Sequence, residues 1–342
     1  MQENDTARRK WAVLGAGSWG TVLAVHLARA GNDTVLWTRR ESHYHAMRAS
    51  RRNEQYAPDL EFPARLTLAP DLQSAMRAAD DILIAVPSEA FASVVLELST
   101  HLEARHRIVW ATKGLEHGSG KLLHEFVSEA VGDTCPTALV SGPSFASEVA
   151  RELPCAVVVA SPDIRVAHEV ARALKTGYLM PFTSTDLVGV EIGGATKNVI
   201  AVAAGISDGM GLGSNARAAL ITRGLKEIMD LGHALGGQRD TFMGLSGLGD
   251  LVLTCSDDQS RNRRFGLALG HGEGVQQARD SIGQVVEGIA AARTIHRLSV
   301  RERTFMPICN EVYQVIYNGR SPLDAVRRLL SQPPQPEFEW AL

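Results

Sequence analysis

A single lysine lies near the middle of the apolar stretch 191–205, and this position suits proton transfer. The stretch has the pattern of a buried helix, in which Gly193 and Gly194 lie one turn before Lys197 on the same face. Desolvation lowers the pKa of an ammonium group in such surroundings, which prepares it to donate or accept a proton. The glycines leave space that a ligand or another part of the protein could fill. A lysine on a helix edge, with glycines serving helix packing, is the alternative that the pattern leaves open.

A glycine-rich hexapeptide, Gly15-Ala16-Gly17-Ser18-Trp19-Gly20, follows a short apolar run and opens a helical pattern. In this G-x-G-x-x-G motif, Gly15 permits a tight turn, Gly17 lets the backbone approach a pyrophosphate, and Gly20 allows close packing of helix against strand. The N–H groups of the helix N-terminus would bind the anion. A structural glycine turn is the alternative, but the strand–turn–helix–strand context favours a dinucleotide site.

Two arginines, Arg39 and Arg40, follow the second predicted strand. Sites selective for NAD carry an acid at this place, which binds the ribose 2′-hydroxyl, whereas a guanidinium suits a 2′-phosphate. The sequence therefore favours NADPH over NADH, with NAD as the alternative cofactor. Glu41 follows directly and weakens this distinction between NADPH and NADH. Both arginines are also compatible with solvent-exposed charges in a loop.

The elements that would position these residues change in character near residue 183. Before it, short apolar runs alternate with helical patterns, which predicts a Rossmann-like, doubly wound α/β domain with a parallel sheet over residues 11–183. After it, capping residues and glycine stops predict an all-helical domain over residues 184–330. A polar tail (1–10) and a Pro-rich tail (331–342) flank the two domains. The predicted strands are 11–14, 34–37, 81–86, 108–111, 138–141 and 156–160.

Capping patterns locate three helix starts in the second half. One of Ser184, Thr185 and Asp186 begins a helix that ends near Gly209. Asn215 is the predicted cap of the next helix, which stops at 236–237. Ser321, followed by Pro322 and Asp324, marks the start of the last helix.

Composition limits the classes of function. The chain has 342 residues, a net charge of −3 and 45% hydrophobic residues, so it lacks the basic surplus of a nucleic-acid binder. Four scattered cysteines form no metal-ligand pattern and favour a reducing compartment. No signal peptide is visible, and no unbroken apolar run reaches the roughly 18 residues that span a bilayer. We therefore expect a cytoplasmic protein without a metal site, a nucleic-acid partner or membrane insertion.

Several motifs together resemble the bacterial type of NAD(P)-dependent glycerol-3-phosphate dehydrogenase. The strongest is Gly-Ala-Thr-Lys-Asn-Val-Ile-Ala-x-x-x-Gly-Ile-x-Asp-Gly-Met-x-Leu-Gly-x-Asn, which runs from Gly194 to Asn215. Other segments match the family in the right order between Gly15 and about Pro307: 15–21, 111–116, 141–148, 244–251, 260–262 and 285–288.

The resemblance implies reversible reduction of dihydroxyacetone phosphate to sn-glycerol 3-phosphate, which supplies glycerophospholipid synthesis, and a homodimer. It makes Lys197 the general acid and base. The implied substrate-binding residues are Lys113, Gly142, Ser144, Lys197, Asp250, Ser260, Arg261 and Asn262. The implied contacts to the dinucleotide are Gly15, Gly17, Ser18, Trp19, Gly20, Arg39, Arg40, Lys113, Ala146, Arg261, Val285 and Glu287.

The chain departs from the family pattern at Thr196, where an aliphatic residue is usual, and in its Pro-rich tail. The sequence is also compatible with two other hypotheses. One is a reductase of the β-hydroxyacid dehydrogenase group, whose members resemble this chain only around the lysine of the central helix. The other is a non-catalytic NADPH sensor, for which Lys197, Asp250 and Arg261 would be unnecessary.

Overall fold

Strand β1 (Trp11–Leu14) lies inside an eight-stranded sheet, between β2 (Thr34–Trp37) and β6 (Asp81–Ile84) and parallel to both. The structure, a computed structural model, describes residues 9–132 and 135–333. The strand order is β10 (Leu179–Ser184), β9 (Cys155–Ala160), β8 (Thr137–Ser141), β7 (Arg107–Trp110), β6, β1, β2 and β5 (Leu66–Ala69). Strands β3 (Arg52–Asn53) and β4 (Ala57–Glu61) form a separate antiparallel pair. After β1 the chain forms β2 and β5 on one side of it and then β6 on its other side. Doubly wound sheets bind ligands at such a switch point.

In the described residues, ten strands precede Leu187 and alternate with helices except at β3, β4 and β5, which follow one another directly; from Leu187 onward the elements are helical. The strands are β1 (Trp11–Leu14), β2 (Thr34–Trp37), β3 (Arg52–Asn53), β4 (Ala57–Glu61), β5 (Leu66–Ala69), β6 (Asp81–Ile84), β7 (Arg107–Trp110), β8 (Thr137–Ser141), β9 (Cys155–Ala160) and β10 (Leu179–Ser184). The helices up to Leu174 are α1 (Ser18–Arg29), α2 (Glu41–Ser50), α3 (Leu72–Arg77), α4 (Ser88–Ser99), α5 (Leu123–Val131), α6 (Ala146–Ala150) and α7 (Ile164–Leu174). Those that follow are α8 (Leu187–Gly209), α9 (Ser214–Ala234), α10 (Arg239–Phe242), a π-helical turn (Leu245–Gly249), α11 (Asp250–Ser256), α12 (Arg261–Gly270), α13 (Val275–Ile282), α14 (Glu287–Arg301), α15 (Pro307–Asn318) and α16 (Pro322–Leu330).

The predicted fold class, a doubly wound α/β part followed by a helical part, is confirmed. All six predicted strands are present within two residues of their expected ends. One expectation was wrong: β9 runs antiparallel to β8 rather than parallel. The reason is that a continuous apolar run reports burial on both faces of a sheet, which does not depend on strand direction.

Strand β10 was not predicted, and its sequence explains why. It lies at the edge of the sheet, contains Pro181, and exposes Met180 and Phe182. Proline is tolerated at an edge, where its missing N–H costs no ladder hydrogen bond. Strand β5, at the opposite edge, was also missed.

Helix α8 forms the centre of the helical part, and nearly all of its residues are buried. Asp186 caps it by accepting a hydrogen bond from the Gly189 N–H at 2.9 Å, and it ends at Gly209 as predicted. By length and mean hydropathy α8 could cross a membrane, but 89% of its most apolar window is buried inside the protein. It is therefore a core helix of this fold.

The other two helix starts had different outcomes. Ser321 caps α16 by accepting a hydrogen bond from the Asp324 N–H at 3.1 Å, which confirms the prediction. The prediction for Asn215 was wrong, because α9 begins at Ser214 after Gly213. Gly213 has a φ of +87°, which ends the preceding loop without a capping side chain.

Helices α8 and α12 cross with their backbones in direct contact, and glycines make this possible. A Cβ built on Gly205 would lie 2.1 Å from a carbonyl oxygen of α12, and one on Gly266 would lie 2.2 Å from a carbonyl oxygen of α8. Gly209 and Gly270 repeat the arrangement one turn further along. Any larger residue at these positions would push the two helices apart.

Two leucines in the loop after β7 belong to the core of the helical part. Leu115 and Leu122 are both 2% exposed and pack in the same apolar cluster as α8. This loop also carries Lys113, so packing in the helical part fixes a segment that begins at the sheet.

Candidate active site

The candidate site lies at the carboxyl edge of the sheet. Strands β1, β2, β6, β7 and β8 all run in the same direction, so the segments that follow them leave the sheet at the same edge. These segments carry the glycine motif 15–20, the arginines 39–40, Ser88, Lys113 and residues 142–144. Most of the predicted site residues of the first half are therefore gathered there.

The glycine motif has the geometry that a pyrophosphate requires. Gly15 has a φ of +114°, and a Cβ at Gly20 would lie 1.9 Å from the Gly15 carbonyl oxygen. A Cβ at Gly17 would have no protein atom within 4 Å, so the backbone there is open to a ligand. Helix α1 also begins without a side-chain cap, which leaves its first N–H groups available for an anion. The residues present thus fit a dinucleotide, and Ser18 and Trp19 lie half-buried in the first turn of α1.

The two arginines after β2 differ in their contacts. Arg40 donates to Gln55 Oε1 at 2.8 Å, whereas the exposed Arg39 has no hydrogen-bond or ion-pair partner within the described parts of the chain. Glu41 is the first residue of α2, and its carboxylate is 3.6 Å from the imidazole of His45. Arg39 is therefore the cation left available to a ligand near the end of β2.

Three charged side chains from distant parts of the chain meet at the site centre. Lys197 of α8 donates to Asp250 Oδ1, and Lys113 donates to Asp250 Oδ2 at 2.8 Å. Lys197 also donates to Thr254 Oγ1 at 2.9 Å. Asp250 is the first residue of α11, and Thr254 lies one turn later on that helix. The Asp250 carboxylate thus bridges two ammonium groups.

Burial sets the electrostatics of this centre. The Lys197 side chain is 7% exposed and that of Lys113 is 18% exposed. Desolvation lowers the pKa of Lys197 to about 8, although the Asp250 carboxylate opposes this shift. Burial alone would raise the pKa of Asp250, but the two neighbouring ammonium groups outweigh it and lower that pKa. The centre therefore holds an ionised carboxylate beside a lysine that can lose its proton near neutral pH.

The space beside the glycines of α8 is filled by protein. A Cβ on Gly193 would lie 2.5 Å from the Ser246 carbonyl oxygen in the π-helical turn. A Cβ on Gly194 would lie 2.8 Å from Ser141 Oγ. Of the two possibilities left open by the sequence, packing against another part of the protein is the one that the structure contains.

The segment after β8 holds the Lys113 ammonium group through a backbone hydrogen bond. The Gly142 carbonyl oxygen accepts hydrogen bonds from Lys113 Nζ at 2.8 Å and from Ser144 Oγ at 2.9 Å. Ala146 follows as the first residue of α6. The backbone of this segment therefore fixes the Lys113 ammonium, together with Asp250.

The start of α12 brings Ser260, Arg261 and Asn262 to the site. Ser260 caps the helix by accepting from the Arg263 N–H at 3.2 Å, and the exposed Arg261 has Gln284 Oε1 at 3.4 Å. Asn262 is buried, donates to Asn198 Oδ1 at 2.8 Å and accepts from the Gly288 N–H at 2.8 Å. Because Asn198 directly follows Lys197, this contact ties the start of α12 to the lysine.

Glu287 joins the helical part to the sheet edge. It is the first residue of α14, and its carboxylate accepts from the Ser88 N–H at 3.2 Å and from the Ser88 hydroxyl. Burial raises the pKa of Glu287, while Ser88 and the nearby Arg261 oppose the shift. Val285, two residues earlier, is 38% exposed.

Three residues that touch the predicted site were not identified from the sequence: Thr254, Asn198 and Ser88. Thr254 could have been found from its place one helical turn after Asp250, and Asn198 from its place beside Lys197. Ser88 follows Pro87 at the end of a strand, which is the position of the other ligand-facing loops. Across residues 9–132 and 135–333, no three His, Cys, Asp or Glu side chains lie close enough to hold a metal ion.

Comparison with known proteins gives a consistent result. The family model of the NAD-dependent glycerol-3-phosphate dehydrogenase N-terminus matches residues 10–167, and the C-terminal model matches residues 186–327. A glycerol-3-phosphate dehydrogenase (NAD(P)+) from Thioalkalivibrio sulfidiphilus is 52% identical over 327 residues, covering 96% of this chain and 98% of that protein. Its counterpart from Nitrosococcus oceani is 49% identical over 336 residues, with 98% of each chain covered. The crystal structure of glycerol-3-phosphate dehydrogenase from Coxiella burnetii has a TM-score of 0.92 and 44% identity, covering 95% of this chain and 99% of that one.

Proposed function

The chain belongs to the NAD-dependent glycerol-3-phosphate dehydrogenase family, and we propose that its Lys197 protonates the substrate carbonyl oxygen during reduction. The reaction is the reversible, NAD(P)H-dependent reduction of dihydroxyacetone phosphate to sn-glycerol 3-phosphate. Family membership decides against both the β-hydroxyacid dehydrogenase group and a non-catalytic sensor. The observation that carries the proposal is the buried contact between Lys197 and Asp250.

One N–H group of the Lys197 ammonium is available for a ligand. An ammonium group carries three N–H bonds, and Asp250 and Thr254 accept two of them. When bound, the nicotinamide supplies the hydride to the carbonyl carbon. The third N–H of Lys197 would then stabilise the negative charge that develops on the carbonyl oxygen and deliver the proton to it.

The pKa of Lys197 suits both directions of the reaction. A general acid or base works best when its pKa is near the operating pH, and burial brings that of Lys197 to about 8. Asp250 would orient the ammonium group, and Lys113 would add a second positive charge beside the reacting oxygen. Gly142 and Ser144 would position the substrate from the loop after β8.

We assign the substrate phosphate to the start of α12. Ser260 accepts the capping hydrogen bond with its oxygen, so its hydroxyl hydrogen remains available to a phosphate oxygen. The second amide hydrogen of Asn262 and the exposed Arg261 guanidinium would add two donors. The N-terminus of a ten-residue helix favours the same anion.

The dinucleotide would lie along the carboxyl edge of the sheet, from the glycine motif to Lys113. Arg39 is our choice for contact with a 2′-phosphate, assisted by Arg40, so NADPH is the preferred cofactor and NAD the alternative. The remaining proposed contacts are Gly15, Gly17, Ser18, Trp19, Gly20, Lys113, Ala146, Arg261, Val285 and Glu287.

We further propose a dinucleotide-binding domain at 11–183 and a substrate-binding domain at 184–330. The flanking tails fall mostly outside the described residues, which begin at Arg9 and end at Pro333. A cytoplasmic homodimer that supplies sn-glycerol 3-phosphate to glycerophospholipid synthesis is the setting that fits this activity.

Replacement of Lys197 tests the proton donor. Lys197→Met keeps the apolar stem but removes the charge and the donor, and general acid catalysis is typically worth about 10²- to 10⁴-fold. We expect kcat for dihydroxyacetone phosphate to fall by that factor while NADPH binding is preserved. Lys226→Met, at a lysine of α9 that pairs with Asp230, serves as control. Retention of more than about a tenth of the wild-type kcat would assign the proton to another group, because the expected loss is at least 10²-fold.

Replacement of Arg39 tests the cofactor preference. Arg39→Asp places an anion where the 2′-phosphate would lie, so NADPH should lose more affinity than NADH. Titration of both cofactors measures the ratio of their Kd values, with the exposed Arg328→Asp as control. An equal loss for both cofactors would show that Arg39 is only a surface charge.

A further inference from the structure

Three elements meet at Ser88, the buried first residue of α4. Its hydroxyl oxygen is 2.9 Å from His117 Nε2, in the loop after β7, and it also bonds to the Glu287 carboxylate of α14. The Ser88 N–H adds a 3.2 Å hydrogen bond to the other carboxylate oxygen. No role assigned above uses His117.

The direction of these hydrogen bonds follows from the number of hydrogens. The Ser88 hydroxyl has one hydrogen, and it donates that hydrogen to the Glu287 carboxylate. Ser88 therefore donates to Glu287 and accepts from His117, whose Nε2 must carry a hydrogen. The result is a directed chain in which His117 donates to Ser88 and Ser88 donates to Glu287.

Close packing holds the loop of His117 against Ser88. A Cβ on Gly114, in the same loop, would lie 2.6 Å from Ser88 Cβ and 3.9 Å from Glu287 Oε2. His117 is half-buried, and Leu115 is anchored in the core of the helical part. The imidazole therefore belongs to a segment with little freedom to move away.

We propose that His117 is a positioning residue for cofactor binding, which fixes the Glu287 carboxylate through the Ser88 hydroxyl. Donation from His117 occupies a lone pair of the Ser88 oxygen and so directs the Ser88 hydrogen to Glu287. Without His117 the hydroxyl can rotate, and only the Ser88 N–H still fixes the carboxylate. This inference rests on the proposed contact between Glu287 and the dinucleotide.

The test measures the Kd of NADPH by fluorescence titration. His117→Ala removes one hydrogen bond and should weaken binding by about 3- to 10-fold. His117→Gln carries an amide donor near the place of Nε2 and should restore binding, whereas the shorter His117→Asn should not. In a Ser88→Ala background, His117→Ala should have no further effect. KM for dihydroxyacetone phosphate should stay unchanged, and His168→Ala, at an exposed histidine of α7, is the control.

Each result has a definite meaning. Weaker binding in the alanine and asparagine variants, rescue by glutamine and loss of the effect without Ser88 support the inference. If Glu287→Gln weakens NADPH binding but His117→Ala leaves it unchanged, the role of His117 is wrong and the Glu287 contact stands. If Glu287→Gln also has no effect, the proposed cofactor contact fails and the inference fails with it. Melting temperatures identify a variant that is merely unfolded, and the glutamine–asparagine pair then decides.

Discussion

Asp250 and Glu227 are two carboxylates of the helical part that are almost equally buried, at 1% and 4% exposed. Their pKa values nevertheless shift in opposite directions. The ammonium groups of Lys113 and Lys197 outweigh burial at Asp250 and lower its pKa. At Glu227 burial dominates and raises the pKa to about 7. The nature of the partner, rather than burial, decides the charge that a buried carboxyl carries.

The partners also come from different places. Asp250 binds side chains from the loop after β7 and from α8, so its contacts hold together residues expected to do chemistry. Glu227 accepts from the backbone N–H groups of Ile308 at 2.7 Å and Cys309 at 3.0 Å, at the start of α15. It therefore caps one helix from another, which is a structural task. Replacing Asp250 should therefore affect turnover, whereas replacing Glu227 should affect stability.

The largest effect is expected at Asp250. Asp250→Asn keeps the shape but removes the charge that raises the pKa of Lys197, so this pKa should fall below about 8. A smaller fraction of Lys197 then carries the proton to be donated at pH 7, and loss of a charged hydrogen-bond partner costs about 10- to 100-fold. A pH profile of kcat for reduction should show the fall and a shift of the deprotonation limb to lower pH.

Asp230→Asn, at an aspartate of α9 paired with Lys226, is the control for charge removal. An Asp250→Asn profile that is lowered uniformly, without a shift along the pH axis, would contradict the coupling between Asp250 and Lys197.

Glu227 should affect stability rather than turnover. Because its folded pKa is raised from 4.5 to about 7, its stabilising contribution is present below pH 4.5 and is lost as pH rises through 7. At about 1.4 kcal/mol per pKa unit, the contribution is worth about 3 kcal/mol. Glu227→Gln cannot ionise, so its free energy of unfolding should lack this decline, while kcat at pH 7 stays near normal.

Urea denaturation at several pH values between about 5 and 8 covers the window in which this proton is lost. Glu97→Gln, at an exposed glutamate of α4, should follow the wild type. If Glu227→Gln declines in stability as steeply as the wild type, ionisation of Glu227 is not the cause.

The smallest effect is expected at Thr196, which is a buried polar residue. It is 0% exposed, and its hydroxyl has no hydrogen-bond partner among the described residues. Thr196→Val removes that hydroxyl at nearly constant shape, so the free energy of unfolding should rise by about 1 kcal/mol. Thr254→Val, whose hydroxyl does have partners, should instead be destabilised. A Thr196→Val protein less stable than the wild type would indicate a partner that the structure does not contain.

Local patterns predicted what depends on local physics. The glycine motif, the strands near it and the cap at Ser321 follow from neighbours in the sequence, and all were found. The contact between Lys113 and Asp250 joins residues 137 positions apart, so no local pattern could reveal it. The direction of β9 and the packing against Gly193 depend on the same long-range arrangement. Asn215 shows the opposite failure, since a favourable capping residue was displaced by a glycine turn just before it.

The glycine crossing of α8 and α12 has a consequence for the range of molecules that the enzyme can accept. Lys197 lies on one of these helices, and the proposed phosphate-binding residues lie at the start of the other. Because backbone meets backbone at these glycines, a change of side-chain rotamer cannot alter the spacing of the helices there. On the proposed assignment of the site, the two helices fix the distance between the bound carbonyl and phosphate groups. Engineering the enzyme for a ketone phosphate with a longer carbon chain would therefore need changes in the surrounding loops, with both helices left intact.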